Sequence, residues 1–526
     1  MARLVAPAAH TPPETPIGAD ADRAHLQRTM GRLDVAAVLL CALVGLDTIG
    51  AYAAFGPQGL VWFVVMAVLF LLPSSLMISE LGSAFPAEGG PYAWARMAFG
   101  RLAGSLTAVF YWATNPVWLG GSLTIVAVAT ISAFLVDLQG VAKYAVALAF
   151  IWTAVGAVML SASVGRWLPR IGALTRIVTL GFFAVSVVVY GVRNGFADDL
   201  TLSDLSPTYA VFIAAVPLLA FKFVGAEVGS NAGEEMRDPQ RDVPVAVLRS
   251  AALTFVLYGV PILGILLVIP KSQVGLLDGF IQAMQQVFTV YGGSTAPDGT
   301  VTLTGAGQVL GDITAVAFVL ALMSSAGAWI GGADRALATS CLDGAGPRGL
   351  GRISPRLGTP LRVNLASGLL ATTVMVLAFW LAGQNANRYF AATLNVAIST
   401  SIIAYLAVYP AFARLRRTHP GVARPYRVPG GRPTALALSA LTTFWIALAC
   451  CELVWPGFGV GWFGTAGDPE AELRSLGFAG QRGLFEVTQV VPLLVLVAVA
   501  VGFWLRGRAE TSLSTRGAAA FEQAAG

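Results

Sequence analysis

Gly45-Leu46-Asp47-Thr48-Ile49-Gly50 lies halfway along an otherwise apolar run that extends over 35–54. A run of about 20 apolar residues is long enough to cross the roughly 30 Å hydrocarbon core of a bilayer. Interrupted backbone at membrane depth is tolerated only where it is buried in protein or lines a cavity. A carboxylate placed there is costly and marks function. A second interruption, Gly225-Ala226-Glu227-Val228-Gly229-Ser230-Asn231-Ala232-Gly233, falls in the second half of another apolar run over 209–231. Again glycines accompany a carboxylate.

Working outward from these two, apolar runs recur near 60–80, 102–136, 141–162, 171–192, 246–269, 309–340, 362–382, 389–410, 434–454 and 487–505. Numbered in chain order, they predict twelve membrane-spanning helices, the interruptions falling in helices 1 and 6. Strict two-residue alternation is absent from all of them, which argues against a β-barrel. Of 526 residues, 56% are hydrophobic and only 12% charged, about half the charge of an ordinary soluble chain. Residues 1–33 are polar and carry Pro12, Pro13 and Pro16. They read as a disordered cytoplasmic tail rather than a cleaved leader, and 506–526 reads as a second tail.

Arginine placement gives the orientation. The loops holding Arg96 and Arg101, Arg166 and Arg170, Arg237 and Arg241, Arg348 and Arg352, and Arg414 through Arg432 all fall on one side of the predicted topology, with both tails. The positive-inside rule makes that side cytoplasmic and the protein a multi-pass component of the inner (plasma) membrane. The net charge of +5 follows from this bias and is no footprint for nucleic acid. Cys41, Cys341, Cys450 and Cys451 have no metal-ligand spacing and read as small buried hydrophobes. His10, His25 and His419 lie outside the spans, so no metal site and no cofactor is expected. No H-E-x-x-H, G-x-S-x-G or Walker A pattern suggests an enzyme.

The interruptions open two blocks of five helices. An odd number inverts the second block relative to the first, the signature of inverted-repeat transporters with a midplane site between two discontinuous helices. The fold class expected is therefore all-α, a five-plus-five inverted repeat with two extra C-terminal helices. Its divisions are a transport core over 34–410, made of repeats 34–192 and 209–410, followed by an added helix pair over 434–505. Glycines that merely permit close helix packing are the alternative. Asp47 lies thirteen residues beyond Asp34, and Lys222 thirteen beyond Tyr209, each roughly 20 Å into the membrane from opposite sides. The two are expected as neighbours, either a pair that opens on binding or a permanent structural ion pair. Glu227 is a candidate proton-binding carboxylate or a hydrogen-bonded structural group. Helix 3 carries Asn115, Pro116 and Trp118 at similar depth. Asn115 and Trp118 can line a pocket, the indole offering its face to an ammonium group, or serve as packing.

Glu80-Leu81-Gly82-Ser83-Ala84-Phe85-Pro86-Ala87-Glu88-Gly89-Gly90-Pro91-Tyr92, running on to Ala98-Phe99-Gly100, resembles the helix 2–3 loop of the amino acid–polyamine–organocation superfamily. Phe223-x-Gly225-x-Glu227 with Glu234-Glu235-Met236-Arg237-Asp238-Pro239 is similar to its helix 6 pattern. Asp334-Arg335 with Asp343-Gly344 and Gly358-Thr359-Pro360 is a weaker third match. The wording resembles that of glutamate/GABA antiporters and polyamine permeases. The resemblance implies alternating access and a small-molecule substrate, an amino acid moved with protons or by exchange. A polyamine or other cationic amine is the alternative. It also implies that Ile49, Gly50, Ala51 and Tyr52 line a carboxylate side and Val224, Gly225 and Ala226 an amino side, consistent with the partial charges at half-helix ends. Phe221 stands where exchangers of the family place an aromatic gate, unless it is an ordinary core residue. Ser324 and Ser325 resemble sodium ligands of related transporters, unless they bond only their own helix. Arg176 resembles the basic residue that proton-coupled relatives hold near that position, unless it is a snorkelling anchor. One departure stands out. Helix 1 lacks the family's glycine-rich segment and carries Asp47, which disfavours a free carboxylate and favours a cationic amine.

Overall fold

The computed structural model describes residues 32–86, 89–160, 167–197, 200–228, 239–270, 273–296, 299–382 and 386–525. Twelve helices in it have the length and apolarity needed to cross a bilayer. Helices 1 to 6 are Leu33–Ala53, Pro57–Ala84, Arg101–Phe134, Gly140–Met159, Trp167–Asn194 and Tyr209–Val228. Helices 7 to 12 are Arg241–Val268, Gly305–Ala345, Leu361–Trp380, Ala386–Thr418, Gly431–Val454 and Arg482–Glu510. They coincide with the twelve runs read from the sequence, mostly extended by a turn where polar residues continue the helix beyond the hydrocarbon. Among the described residues, the strands are one short hairpin of Gly293–Thr295 against Val301–Leu303.

Helix packing carries the internal symmetry. Helix 3 packs on helix 10, and helix 8 on helix 5. Helix 1 packs on helix 7, and helix 6 on helix 2. Helix 9 lies against helix 3, and helix 4 against helix 8. Each of these contacts becomes its twin when every helix is exchanged for the one five places away. The contacts 2–7, 3–8 and 4–9 map onto themselves. This is the contact pattern of a five-plus-five repeat. Helices 11 and 12 stand outside it, the former on helices 6 and 10, the latter on helix 3 and the end of helix 8.

Burial sorts the helices by role. The most apolar stretch of helix 1 is 89% buried and that of helix 6 is 83% buried, against 22% in helix 12. The two interrupted helices are thus central, and helix 12 presents apolar side chains such as Leu494 and Val495 outward. Breaks occur in both central helices. Regular α-helix in helix 1 stops at Leu43 and resumes at Ile49 after a tighter turn over Leu46–Thr48. In helix 6 it stops at Phe223; Val224 is extended and Gly225 has φ +115°, a backbone that disfavours any side chain. Residues 229–233 of the second interruption lie outside the described residues.

Three features depart from the sequence reading. The stretch between the apolar runs 246–269 and 309–340 contains a helix over Gly279–Phe288 that buries Phe280, Ile281, Met284, Val287 and Phe288. It is amphipathic but too short to span, so a search for long apolar runs passes over it. Another short helix, Gly90–Phe99, sits inside the motif between helices 2 and 3. The C-terminal helix also does not end at 505 but continues as Arg482–Ala525. Nothing after Pro492 breaks it, and Arg506 pairs with Glu510 one turn on at 2.9 Å. Residues 1–31 of the expected N-terminal tail lie outside the described residues, while Arg32 and Leu33 already belong to the helix Arg32–Leu43.

Candidate functional site

A broken helix leaves backbone carbonyls without their usual amide partners. In helix 1 those carbonyls have specific side-chain donors. Trp329 Nε1 of helix 8 donates to Ala42 O at 2.9 Å. Ser325 Oγ donates to Cys41 O at 2.9 Å, and Arg176 Nε to Val44 O at 2.9 Å. Tyr258 of helix 7 accepts from Gly45 N at 2.7 Å. Arg176 is fully buried, so it is not an anchor reaching for the membrane surface. Its guanidinium also donates to Ala321 O at 2.7 Å, Ser324 Oγ at 2.6 Å and Ser325 Oγ. Helices 1, 5 and 8 meet on this one cation.

Asp47 turns toward helix 3. Its Oδ2 accepts from Trp118 Nε1 at 2.7 Å and from Ser122 Oγ. Its Oδ1 is buried with no hydrogen-bond partner among the described residues. Helix 3 widens over Leu119–Leu123, just after Pro116, which cannot donate to the preceding turn. Gly120 and Gly121 let helices 9 and 10 close on that stretch, since a side chain there would strike Ala371 and Thr393. The widened turn directs Ser122 at Asp47. Lys222 is buried as well, but it donates to Thr48 Oγ1 at 2.9 Å and lies 3.9 Å from the centre of the Tyr258 ring. Among the described residues no ion pair within 4.0 Å joins Asp47 to Lys222. The expected neighbours therefore share the break without touching, because Thr48 takes the ammonium and helix 3 takes the carboxylate.

At the helix 6 break, Glu227 accepts from Tyr111 of helix 3 at 3.0 Å, from Tyr405 of helix 10, and from Gly225 N at 3.2 Å. Three donors converge on a group that only accepts when ionised. A Cβ on Gly225 would lie 2.8 Å from the Trp329 ring. Trp329 thus holds a carbonyl of the helix 1 break and covers the helix 6 break with one side chain. Trp118 stands edge-to-face on Phe221 at 5.9 Å and on Trp329 at 6.3 Å. Tyr111 completes the aromatic group at 5.9 Å from Trp329.

The other sequence candidates fall around this centre. Val224 and Ala226 are buried beside Gly225. Ile49 is buried in the second half of helix 1, and Tyr52 donates to Gly59 O at 2.6 Å. The α-carbon of Gly50 packs on Gly279 and Phe280 of the short helix. Ala51 borders a cavity of about 60 Å³ that also touches Pro217, Glu452 and Glu472. Asn115 is buried in helix 3, and its Oδ1 has no hydrogen-bond partner among the described residues. Its Nδ2 donates back to Tyr111 O at 2.9 Å within helix 3. Trp329, Tyr405, Tyr258 and Ser122 were not singled out from the sequence. Each is a lone polar-tipped residue in an apolar run, and only tertiary packing selects it.

The motif between helices 2 and 3 has a visible use. Glu80 pairs with Arg416 in the last turn of helix 10 and with Arg424 from the segment after it, and accepts from Val428 N at 2.8 Å. Arg96 pairs with Asp343 at 2.6 Å and Arg170 with Asp34 at 2.6 Å. These contacts tie the arginine-rich ends of helices 1, 2, 5, 8 and 10 together.

Two discontinuous helices at the centre of an inverted repeat, with charged and aromatic groups gathered at both breaks, form the architecture of a membrane transporter. A model of the amino acid permease family matches residues 30–466, a stretch that includes helices 1 to 11, and the chain belongs to that family. It is 26% identical over 441 residues to an uncharacterized transporter of Legionella pneumophila, covering 81% of this chain and 88% of the relative. It is 25% identical over 397 residues to a probable agmatine/putrescine antiporter of Lactococcus lactis, covering 74% and 80%. A third relative, an uncharacterized transporter of Mycobacterium tuberculosis, is 26% identical over 361 residues, covering 67% and 74%. The protein is thus a multi-pass membrane transporter, and its family and relatives are permeases rather than enzymes.

Proposed function

We propose that this transporter carries a cationic organic amine of the agmatine or putrescine kind across the plasma membrane by alternating access. The observation that carries this reading is Asp47 Oδ1, a carboxylate oxygen buried beside an aromatic group with no hydrogen-bond partner among the described residues. A buried acceptor without a donor is unfavourable by about 1–3 kcal/mol, more for a charged group. An ammonium group would satisfy it. Trp118, Phe221 and Trp329 would offer π faces worth about 0.5–2 kcal/mol to the same cation. The similarity to a probable agmatine/putrescine antiporter supports the same substrate class.

Lys222 favours a second reading, in which the cargo is an amino acid. Its ammonium stands at the same break and would attract a substrate carboxylate, with Ile49, Gly50, Ala51 and Tyr52 on that side and Val224, Gly225 and Ala226 facing the amino group. Arg176 bears on coupling. It takes up the hydroxyls of Ser324 and Ser325 and the carbonyls of Val44 and Ala321, a set of oxygens that would otherwise suit a sodium ion. Coupling then runs by exchange or through a proton on Glu227, without sodium. The arginine-rich loops support an orientation with both termini in the cytoplasm.

Counterflow tests the reading. Proteoliposomes loaded with unlabelled putrescine should accumulate labelled agmatine or putrescine equally well in sodium and in choline buffers. Accumulation of labelled glutamate or neutral amino acids with no competition by amines would replace it with the second reading.

A further inference from the structure

The segment between helices 10 and 11 and the adjoining helix ends enclose a cavity of about 670 Å³ on the arginine-rich side. Arg414, Arg416, Arg417, Arg424, Arg427 and Arg432 line it, and among the described residues no acidic side chain does. Arg416 and Arg424 share the single carboxylate of Glu80 behind the cavity wall. Arg414, Arg417, Arg427 and Arg432 are exposed, and among the described residues none of the four pairs with a carboxylate within 4.0 Å. The cavity therefore holds several positive charges that the described protein does not balance.

Its other walls are apolar. Leu436 of helix 11 is 52% exposed and Phe99 is 41% exposed, and Pro410 and Ala440 adjoin them. Leu436 and Ala440 are one turn apart on a membrane-spanning helix, so the wall continues from the charged rim into the depth of the bilayer. A cationic ring over an apolar groove matches a molecule with an anionic head and a hydrocarbon tail.

We propose that this cavity seats an anionic phospholipid. Its phosphate is held by Arg417, Arg427 and Arg432, and an acyl chain lies along Leu436 and Ala440. Guanidinium groups bind phosphate through charge-assisted, often bidentate hydrogen bonds, and basic pockets between membrane helices are a recognised setting for anionic headgroups. The apolar groove commits the site to a lipid rather than to free phosphate, which would leave Leu436 and Phe99 without an occupant. A lipid so placed would neutralise the arginines and join the end of helix 10, which carries Tyr405, to helix 11.

Native mass spectrometry of the detergent-purified full chain measures this directly, with phosphatidylglycerol, cardiolipin or phosphatidylcholine added at equal concentration. The expected result is a discrete anionic lipid adduct that phosphatidylcholine does not form and soluble glycerol phosphate does not displace. Each arginine near an anionic lipid contributes roughly a fivefold factor in affinity, so R417A/R427A/R432A should weaken the adduct at least tenfold. Leu436→Trp keeps every arginine and fills the groove, and should weaken it too. If the triple variant does not yield a monodisperse folded protein, Leu436→Trp alone decides. Equal retention of phosphatidylcholine, displacement by glycerol phosphate, or full retention of phosphatidylglycerol by Leu436→Trp would each overturn the proposal.

Discussion

Arg176 shows how one side chain holds the centre of this molecule. Its hydrogen bonds reach helix 1 at Val44, its own helix at Gly172, and helix 8 at Ala321, Ser324 and Ser325. Hydrogen bonds to a charged group are worth roughly 1.5–3 kcal/mol each, so Arg176→Met should cost at least about 3 kcal/mol. A thermal shift of the purified protein would record the loss, and an unchanged melting temperature would show that the bonds are not formed. Gly225 is constrained by backbone rather than by charge. Gly225→Ala places a methyl group at φ +115° and 2.8 Å from Trp329. Strain at such a backbone costs about 1–3 kcal/mol, and transport should fall with it. Asp47→Asn should impair uptake, and adding Lys222→Met should not restore it, because Thr48 and Tyr258 rather than Asp47 hold the lysine. Rescue by the double change would instead indicate a direct pair. Asp47, Lys222, Glu227 and Gly225 were legible in the sequence because charge and glycine are conspicuous in apolar runs. Trp329 and Tyr405 were not, since an aromatic residue in a membrane helix has no local mark of a polar task.

At the scale of elements, ion pairs and a carboxyl pair fix segments that the apolar runs leave undefined. Glu80 is buried between Arg416 and Arg424. Removing one partner of a buried pair typically costs 3–5 kcal/mol, so Glu80→Ala should lower the melting temperature markedly and loosen the segment between helices 10 and 11. Hydrogen exchange over 419–430 would detect that loosening. On the opposite side, Glu472 sits in the loop between helices 11 and 12, beside Glu452 of helix 11 on the wall of the cavity of about 60 Å³. Burial, and then the adjacent Glu452, hold its carboxyl well above the usual range. The folded state therefore favours the protonated form, and stability should decline as pH rises from about 4.3, the ordinary glutamate value, through the raised folded value. Glu472→Gln should flatten that decline; an identical pH dependence of the melting temperature would exclude Glu472 as its source. The twelve spans were readable because each is set by length and apolarity alone. The helix over Gly279–Phe288 was not, because its apolar stripe makes sense only against the helix 1 break that it covers.

On the scale of the whole molecule, helices 1 and 6 form a buried axis, and the remaining core helices surround it in symmetric pairs. Glu227 joins helices 3, 6 and 10 through Tyr111 and Tyr405, so protonation there would remove the charge that strengthens both bonds. Glu227→Gln should leave the protein folded and flatten the pH profile of transport; an unaltered profile would remove Glu227 from the proton pathway. The inverted symmetry was legible from two interruptions five helices apart. The cargo was not, since opposite charges stand at one break and their geometry decides which is available. The central claim is that Asp47 and the surrounding aromatic residues receive an ammonium group. Equilibrium binding of labelled putrescine to the purified protein, with and without Asp47→Asn, tests it most directly. Saturable binding is expected, displaced by agmatine but not by glutamate and weakened at least tenfold by Asp47→Asn. Binding unaffected by that substitution, or displaced by glutamate as readily as by agmatine, would contradict it.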